Sequence, residues 1–234
     1  MKKQVTGILA AAVLVLTTIL LSQLIGASAR YGSVEHFDNA LAFARERHWF
    51  YYNATYANAL MLTLFNMLLY GSLYGLLKKE HPEWTAAGLV FVPLYAILAT
   101  VSYLSQIVLV PVLIYQLEDP VTQPIALALL HHWLQIWPQS TIQQFDQFSY
   151  FLLGVPGLIY GLLMWNTTRL RIPGGLFVVS GLFCLLIGVG IITGLPALVG
   201  VPSMIGGVVS IIATGWLAFV LLRNSQKFST VTTD

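Results

Sequence analysis

Charge is what this chain has least of. Only 9% of its 234 residues are Asp, Glu, Lys or Arg, against about 25% in an ordinary soluble domain, so water is not its main solvent. It has one cysteine, Cys184, which excludes an intrachain disulfide and a thiolate metal cluster. It has no basic tract: 11 Lys and Arg against 9 Asp and Glu are scattered in small groups and leave a net charge of +2, so nucleic acid is not an expected partner. His-x-x-x-His and His-Glu-x-x-His spacings are also missing, as is any other catalytic or cofactor motif of high specificity, and no cofactor is named by the sequence.

Apolar residues make up 57% of the chain, and they come in runs long enough to cross a hydrocarbon layer, which takes about 20 residues of helix. Six such runs cover residues 7–26, 55–77, 88–116, 146–165, 173–195 and 200–222. Backbone polar groups in lipid must be satisfied within the segment, so each run is expected as a helix. The expected fold is all-α: a polytopic bundle of six transmembrane helices in one integral membrane domain over residues 1–234. The third run holds Pro93 and Pro111, and the fourth holds Pro156, which predicts tilts or kinks. Lys2 and Lys3 before the first run, with Ala27-Ser28-Ala29 after it, also fit a cleaved signal peptide; the run is longer than the core of such a signal, and a retained span is expected.

Cytoplasmic flanks carry the excess of Lys and Arg. With the N-terminus inside, the inner flanks hold Lys2, Lys3, Lys78, Lys79, Arg169, Arg171, Arg223 and Lys227, and the outer flanks only Arg30, Arg45 and Arg47. Both termini are therefore expected in the cytoplasm of a bacterial inner membrane. Trp49, Tyr51, Tyr52, Trp84, Trp133, Trp137 and Trp165 fall near the run ends, where amphipathic rings prefer the interface.

Two outer connections are expected to form short interfacial helices. Ser33 is placed to cap a helix from Val34 to about His48, with Glu35 in its first turn, Arg45 and Arg47 in its last, and Val34, Phe37, Leu41 and Ala44 on one face. Pro124 and Pro138 bracket Ile125 to Trp137, an apolar segment too short to span, read as interfacial or re-entrant. A wheel through it puts His131, His132 and Gln135 together. With His36, these histidines are the candidate ligands for a metal or proton-handling site on the outer face, where Glu35, Asp38, Glu46, Glu118, Asp119, Asp146 and His48 also fall.

No Lys, Arg or Glu lies inside any run, and Asp146 stands at the start of one. That counts against an ion-coupled pump. The polar groups left inside are Asn66, and Tyr95, Ser102 and Gln106 on one face of the third span. They are candidates for a ligand-binding cavity, though bonding between helices is the favoured role. Gly174, Gly181 and Gly188 recur on the fifth span, Gly206, Ser210, Thr214 and Ala218 on the sixth, and Gly157-x-x-x-Gly161 on the fourth, which predicts a compact sub-bundle of the last three spans, or a homo-oligomer face.

Three stretches carry a resemblance: Tyr70-Gly71-Ser72-Leu73-Tyr74-Gly75-Leu76-Leu77 before Lys78, Asp146-Gln147-Phe148-Ser149-Tyr150, and Leu170-Arg171-Ile172-Pro173-Gly174-Gly175-Leu176. In these, and in topology over most of its length, the chain resembles a family of uncharacterised six-span bacterial membrane proteins, a domain of unknown function. The Pro124 to Pro138 segment departs from that pattern. The resemblance implies the fold and supplies no activity. The leading expectation is a membrane protein that binds a lipid, another apolar ligand or a partner. The alternatives are a transporter subunit for a small neutral substrate and a membrane-embedded enzyme working through the outer-face histidines and carboxylates.

Overall fold

The computed structural model describes residues 2–33, 35–45 and 51–229. Its elements in chain order are α1 (Lys2–Tyr31), α2 (Phe37–Arg45), α3 (Tyr52–Leu77), α4 (Pro82–Gln116), α5 (Gln123–Trp133), α6 (Thr141–Trp165), a 3-10 turn (Thr168–Leu170), α7 (Arg171–Thr193) and α8 (Ala197–Ser229). Six of these are long and apolar enough to cross a membrane: α1, α3, α4, α6, α7 with the turn before it, and α8. No strand occurs among the described residues. The fold and its apolar helices define the class, a multi-pass α-helical membrane protein.

The helices outrun the apolar stretches. Hydropathy marks the part of a helix that lies in hydrocarbon, whereas the helix continues for as long as its end groups find partners. The clearest case is α6, which begins at Thr141 because the Ser140 hydroxyl accepts the Gln143 N–H at 3.1 Å, the bond of an N-cap. Asp146 is thereby moved from the start of the span to its second turn. α6 runs unbroken through Pro156 and α8 through Pro202. α7 ends on Gly194 at φ +67°, with Leu195 N–H on the Gly190 carbonyl at 2.9 Å and Gly194 N–H on that of Ile191 at 3.3 Å, a Schellman stop that needs a residue without a Cβ.

The two short helices differ from expectation at their ends. α2 starts at Phe37, not Val34. The Ser33 hydroxyl accepts the Glu35 N–H at 3.4 Å and closes a turn ahead of the helix, so Asp38 occupies the first helical turn. Ala40, Leu41, Phe43 and Ala44 are buried. Val34, Glu46, Arg47, His48 and Trp49 lie outside the described residues. α5 starts at Gln123 and stops at Trp133, four residues before the expected end, because Leu134 turns extended at φ −85°, ψ 96°.

The described residues pack as two compact units, each drawing on several helices. In the first (up to Val15, Leu64–Ala96 and from Phe148), α6 and α7 meet backbone to backbone. A Cβ added at Gly161 would stand 2.7 Å from Val178 N and 2.9 Å from Gly174 O, and one at Gly181 2.8 Å from Leu158 N and 2.9 Å from Gly154 O. Ser180 donates to the Gly206 carbonyl at 3.2 Å and ties α7 to α8. The buried Tyr160 donates to the Thr85 carbonyl at 2.7 Å. These are the close approaches that small residues permit where lipid removes the hydrophobic drive. The second unit (Leu16–Thr63 and Ile97–Gln147) holds α2, α5 and the polar cluster described next.

Candidate functional site

Helical spacing on α3 stacks Tyr52 and Tyr56 one turn apart, both buried, with rings 4.8 Å apart at 62°. α4 presents Ser102, Tyr103 and Gln106 to the same interior, all buried. The break at Leu134 delivers Gln135, and the early start of α6 delivers Asp146, which is 3% exposed. Three helices and the turn after α5 thus contribute side chains to one buried polar cluster.

Gln106 is its hub. Its Oε1 accepts from the Tyr52 hydroxyl at 2.8 Å and from the Gln135 N–H at 3.0 Å. Its Nε2 donates to the Trp133 carbonyl at 2.9 Å, the Ser105 hydroxyl at 2.8 Å and the Ser102 carbonyl at 3.2 Å. The Gln135 side chain continues the chain of bonds: its Oε1 accepts from the Tyr56 hydroxyl at 3.0 Å, and its Nε2 donates to Asp146 Oδ2 at 2.7 Å. Tyr103 is a further hydrogen-bond partner of that carboxyl, and the Ser102 hydroxyl donates to the Ile142 carbonyl at 3.4 Å. Buried backbone groups outside a helix need partners from elsewhere in the protein, and this cluster supplies them for the residues on either side of Leu134.

The intramembrane candidates divide between the two units. Asn66 donates to the Tyr95 hydroxyl at 3.4 Å and so bridges α3 to α4 in the first. Ser102 and Gln106 belong to the second. Every one of the four is engaged in bonds between or along helices, the role favoured for amides and hydroxyls in lipid.

Of the expected grouping of His131, His132 and Gln135, the two histidines lie on α5 and Gln135 falls beyond its end. His131 lies flat on Phe37 of α2, ring centroids 3.7 Å apart at 10°, with Trp137 edge-on to both. His132 Nδ1 is 3.0 Å from the Thr141 hydroxyl. Gln135 turns away into the polar cluster because α5 has already ended. His36 is exposed in the turn before α2. Among the described residues, no three His, Cys, Asp or Glu side chains gather in a group that could hold a metal.

An open cleft of about 500 Å³ lies where α1 ends beside α2, lined by Arg30, Tyr31, Asp38, Leu41, Ala42 and Arg45. The Arg30 guanidinium sits 5.7 Å over the Tyr31 ring and 5.6 Å over that of Tyr51, a stacked arrangement that suits arginine better than lysine. Phe43, from the buried face of α2, packs on Tyr31 at 5.5 Å and Tyr52 at 5.2 Å, linking the cleft wall to the polar cluster.

Compared with protein-family models, curated proteins and solved structures, the chain matches none. What can be said of its chemistry comes from these residues. Sequence reasoning missed Tyr52, Tyr56, Tyr103 and the Gln135 side chain, and it left Asp146 at a span end. Ser140 three residues ahead of Gln143, the spacing of a capping box, was the one signal that would have corrected the last.

Proposed function

We propose that this protein is a binding protein of the bacterial inner membrane, a single integral domain over residues 1–234 with both termini in the cytoplasm, which holds a lipid or similar amphiphile at its outer face. It fits the six-span family that its sequence resembles. The observation that carries the reading is the α1–α2 cleft, where arginines stand beside Leu41 and Ala42 at the end of a membrane helix. A charged head and an apolar tail are recognised by that combination, as amphiphile sites place a few polar groups against an apolar wall. Asn66, Tyr95, Ser102 and Gln106 serve in this reading to hold the helices together. The test is lipid analysis of the purified protein after exhaustive detergent exchange: a retained lipid in stoichiometric amount is expected, and protein that stays folded with none would overturn the proposal.

A second reading, a transporter subunit for a small neutral substrate, is favoured by one observation. Asp146 is an ionisable group buried in a membrane helix, a common mark of a transport path. Substrate-dependent uptake into proteoliposomes that is abolished in Asp146→Asn would establish it.

A further inference from the structure

Both ends of α5 are bonded to the same helix. At its start the Thr122 hydroxyl donates to the Gln116 carbonyl at 2.8 Å, and at its end Gln106 holds the Trp133 carbonyl and the Gln135 N–H at 2.9 and 3.0 Å. Gln106 and Gln116 are ten residues apart on α4, as are Gln123 and Trp133 on α5, about 15 Å of helix in each. α5 therefore runs alongside the end of α4 and antiparallel to it. A helix lying on a membrane would cross a spanning helix instead.

Each helix of this hairpin buries one face and exposes another. On α4, Val110 and Leu113 are buried, while Val101, Leu104, Val108 and Val112 are 47 to 60% exposed; spacings of three and four put these in one stripe. On α5, Ala126 and Leu130 are buried, while Ile125 and Leu129 are exposed one turn apart. α2 meets α5 on another face: His131, which stacks on Phe37, lies at least about 120° around the helix from Ile125 and Leu129. No Asp, Glu, Lys or Arg occurs between Glu83 and Glu118 or between Asp119 and Asp146. The hairpin's charges are thus the two acids at its tip, where the Asp119 carboxylate accepts the Val121 N–H at 2.9 Å. Protein interfaces favour Trp, Tyr, Arg and Met inside a polar rim. This surface is Val, Ile and Leu, and it continues the face that α4, a helix apolar and long enough to span, exposes at Val101 and Leu104.

We infer that the α4–α5 hairpin is set into the lipid leaflet at that end of α4, with acyl chains on its exposed stripe and the acids of its tip at the water surface. α5 is then a re-entrant helix, and the bonds around Leu134 are made below the surface. The inference stands apart from the amphiphile reading and holds for either orientation of the chain.

The test uses the full chain in phosphatidylcholine liposomes, with Cys184→Ser and one nitroxide-labelled cysteine at a time in place of Asp119, Ile125 or Leu129. Spin relaxation reads collisions with oxygen, which concentrates in lipid, and with a nickel chelate, which stays in water. Chelate collisions are expected to be most frequent at Asp119, fewer at Ile125 and lost at Leu129, with oxygen collisions rising in the same order. Val108→Cys repeats the Leu129 reading from the other helix. Chelate access at Leu129 and Val108 equal to that at Asp119 would put the hairpin in water and overturn the inference. Oxygen access equal at Ile125 and Leu129 would lay α5 flat on the membrane and overturn the re-entrant helix. Loss of both kinds of collision at Ile125 and Leu129 would show a cover of protein, from a second copy or another partner, and overturn the lipid contact.

Discussion

The Gln106 side chain pairs with the backbone on both sides of Leu134. Its Nε2 donates to the Trp133 carbonyl at 2.9 Å, and its Oε1 accepts from the Gln135 N–H at 3.0 Å. A primary amide offers a donor and an acceptor with the spacing of a peptide group, so Gln106 does for this break what a neighbouring strand residue does in a sheet. Gln106→Leu strips partners from a half-buried C=O and a half-buried N–H, each costing up to about 1 to 3 kcal/mol when left unmade. Gln106→Glu keeps the acceptor and loses the donor, and is expected to fall between wild type and leucine. Thermal unfolding in detergent reads both, and equal stability of all three proteins would remove Gln106 from its place as hub.

Asp146 is tied to Gln135 by a 2.7 Å bond, and the geometry of that bond asks for an oxygen acceptor and no particular charge. Asp146→Asn can present its own carbonyl oxygen to Gln135 Nε2 and is expected to stay within about 1 kcal/mol of wild type, while Asp146→Leu leaves the amide without its acceptor and costs about 1 to 3 kcal/mol. Denaturation of the two variants side by side separates structure from transport. If Asn folds as well as Asp but abolishes a substrate flux, the carboxyl has a task beyond holding α6 to the turn before it.

The glycines of α6 and α7 are not equivalent to those of α3. A Cβ at Gly181 would meet the backbone of Leu158 and Gly154, at 2.8 and 2.9 Å, and backbone cannot step aside as a side chain end can. Gly181→Ala is therefore expected to destabilise the protein by about 1 to 3 kcal/mol through overpacking. At Gly71 and Gly75 an added Cβ meets nothing within 4 Å. Alanine there is expected to be neutral or to stabilise the helix by up to about 1 kcal/mol. Melting temperatures of the three variants check the contrast, and a loss at Gly71 equal to that at Gly181 would show that the lipid-facing side of α3 is covered by something else.

His131 is stacked flat on Phe37 and meets Trp137 edge-on, a position that favours packing over ligation. Zinc and copper content of the purified protein is expected to be the same in wild type and in a variant carrying His131→Ala and His132→Ala. Stoichiometric metal that disappears in the double variant would return the outer-face histidines, with His36, to the centre of the account.

The six spans were legible because each needs a run of apolar residues that little else in a short sequence produces. Even their buried faces could be read in part: Tyr95, Ser102 and Gln106 were placed on one side of α4, and all three are buried. The ends were less legible. α6 continues for five polar-rich residues ahead of Asp146 on the strength of one serine cap, and α5 stops at Trp133 with no proline or glycine at the break. That stop is decided by Gln106, which precedes it by 27 residues and reaches it only in the folded chain. Partnerships such as Tyr56 with Gln135, or Phe37 with His131, are tertiary in the same sense, and no periodicity in one segment encodes the residue it will meet in another.

Orientation decides which leaflet the cleft addresses. In a Cys184→Ser background, single cysteines in place of Asp119 and Ser33 are expected to react with a membrane-impermeant maleimide in intact cells, and cysteines at Lys79 and Asn166 only after the membrane is opened. The expectation rests on the eight Lys and Arg of the inner flanks, Lys78, Lys79, Arg169 and Arg171 among them, against the three of the outer flanks, Arg30, Arg45 and Arg47. The reverse pattern would place Arg30 and Arg45 on the cytoplasmic leaflet, where the surface potential is negative and attracts such residues. The cleft would survive that result, but its arginines would then belong to the charge bias that orients the chain, and the outer-face reading would be lost.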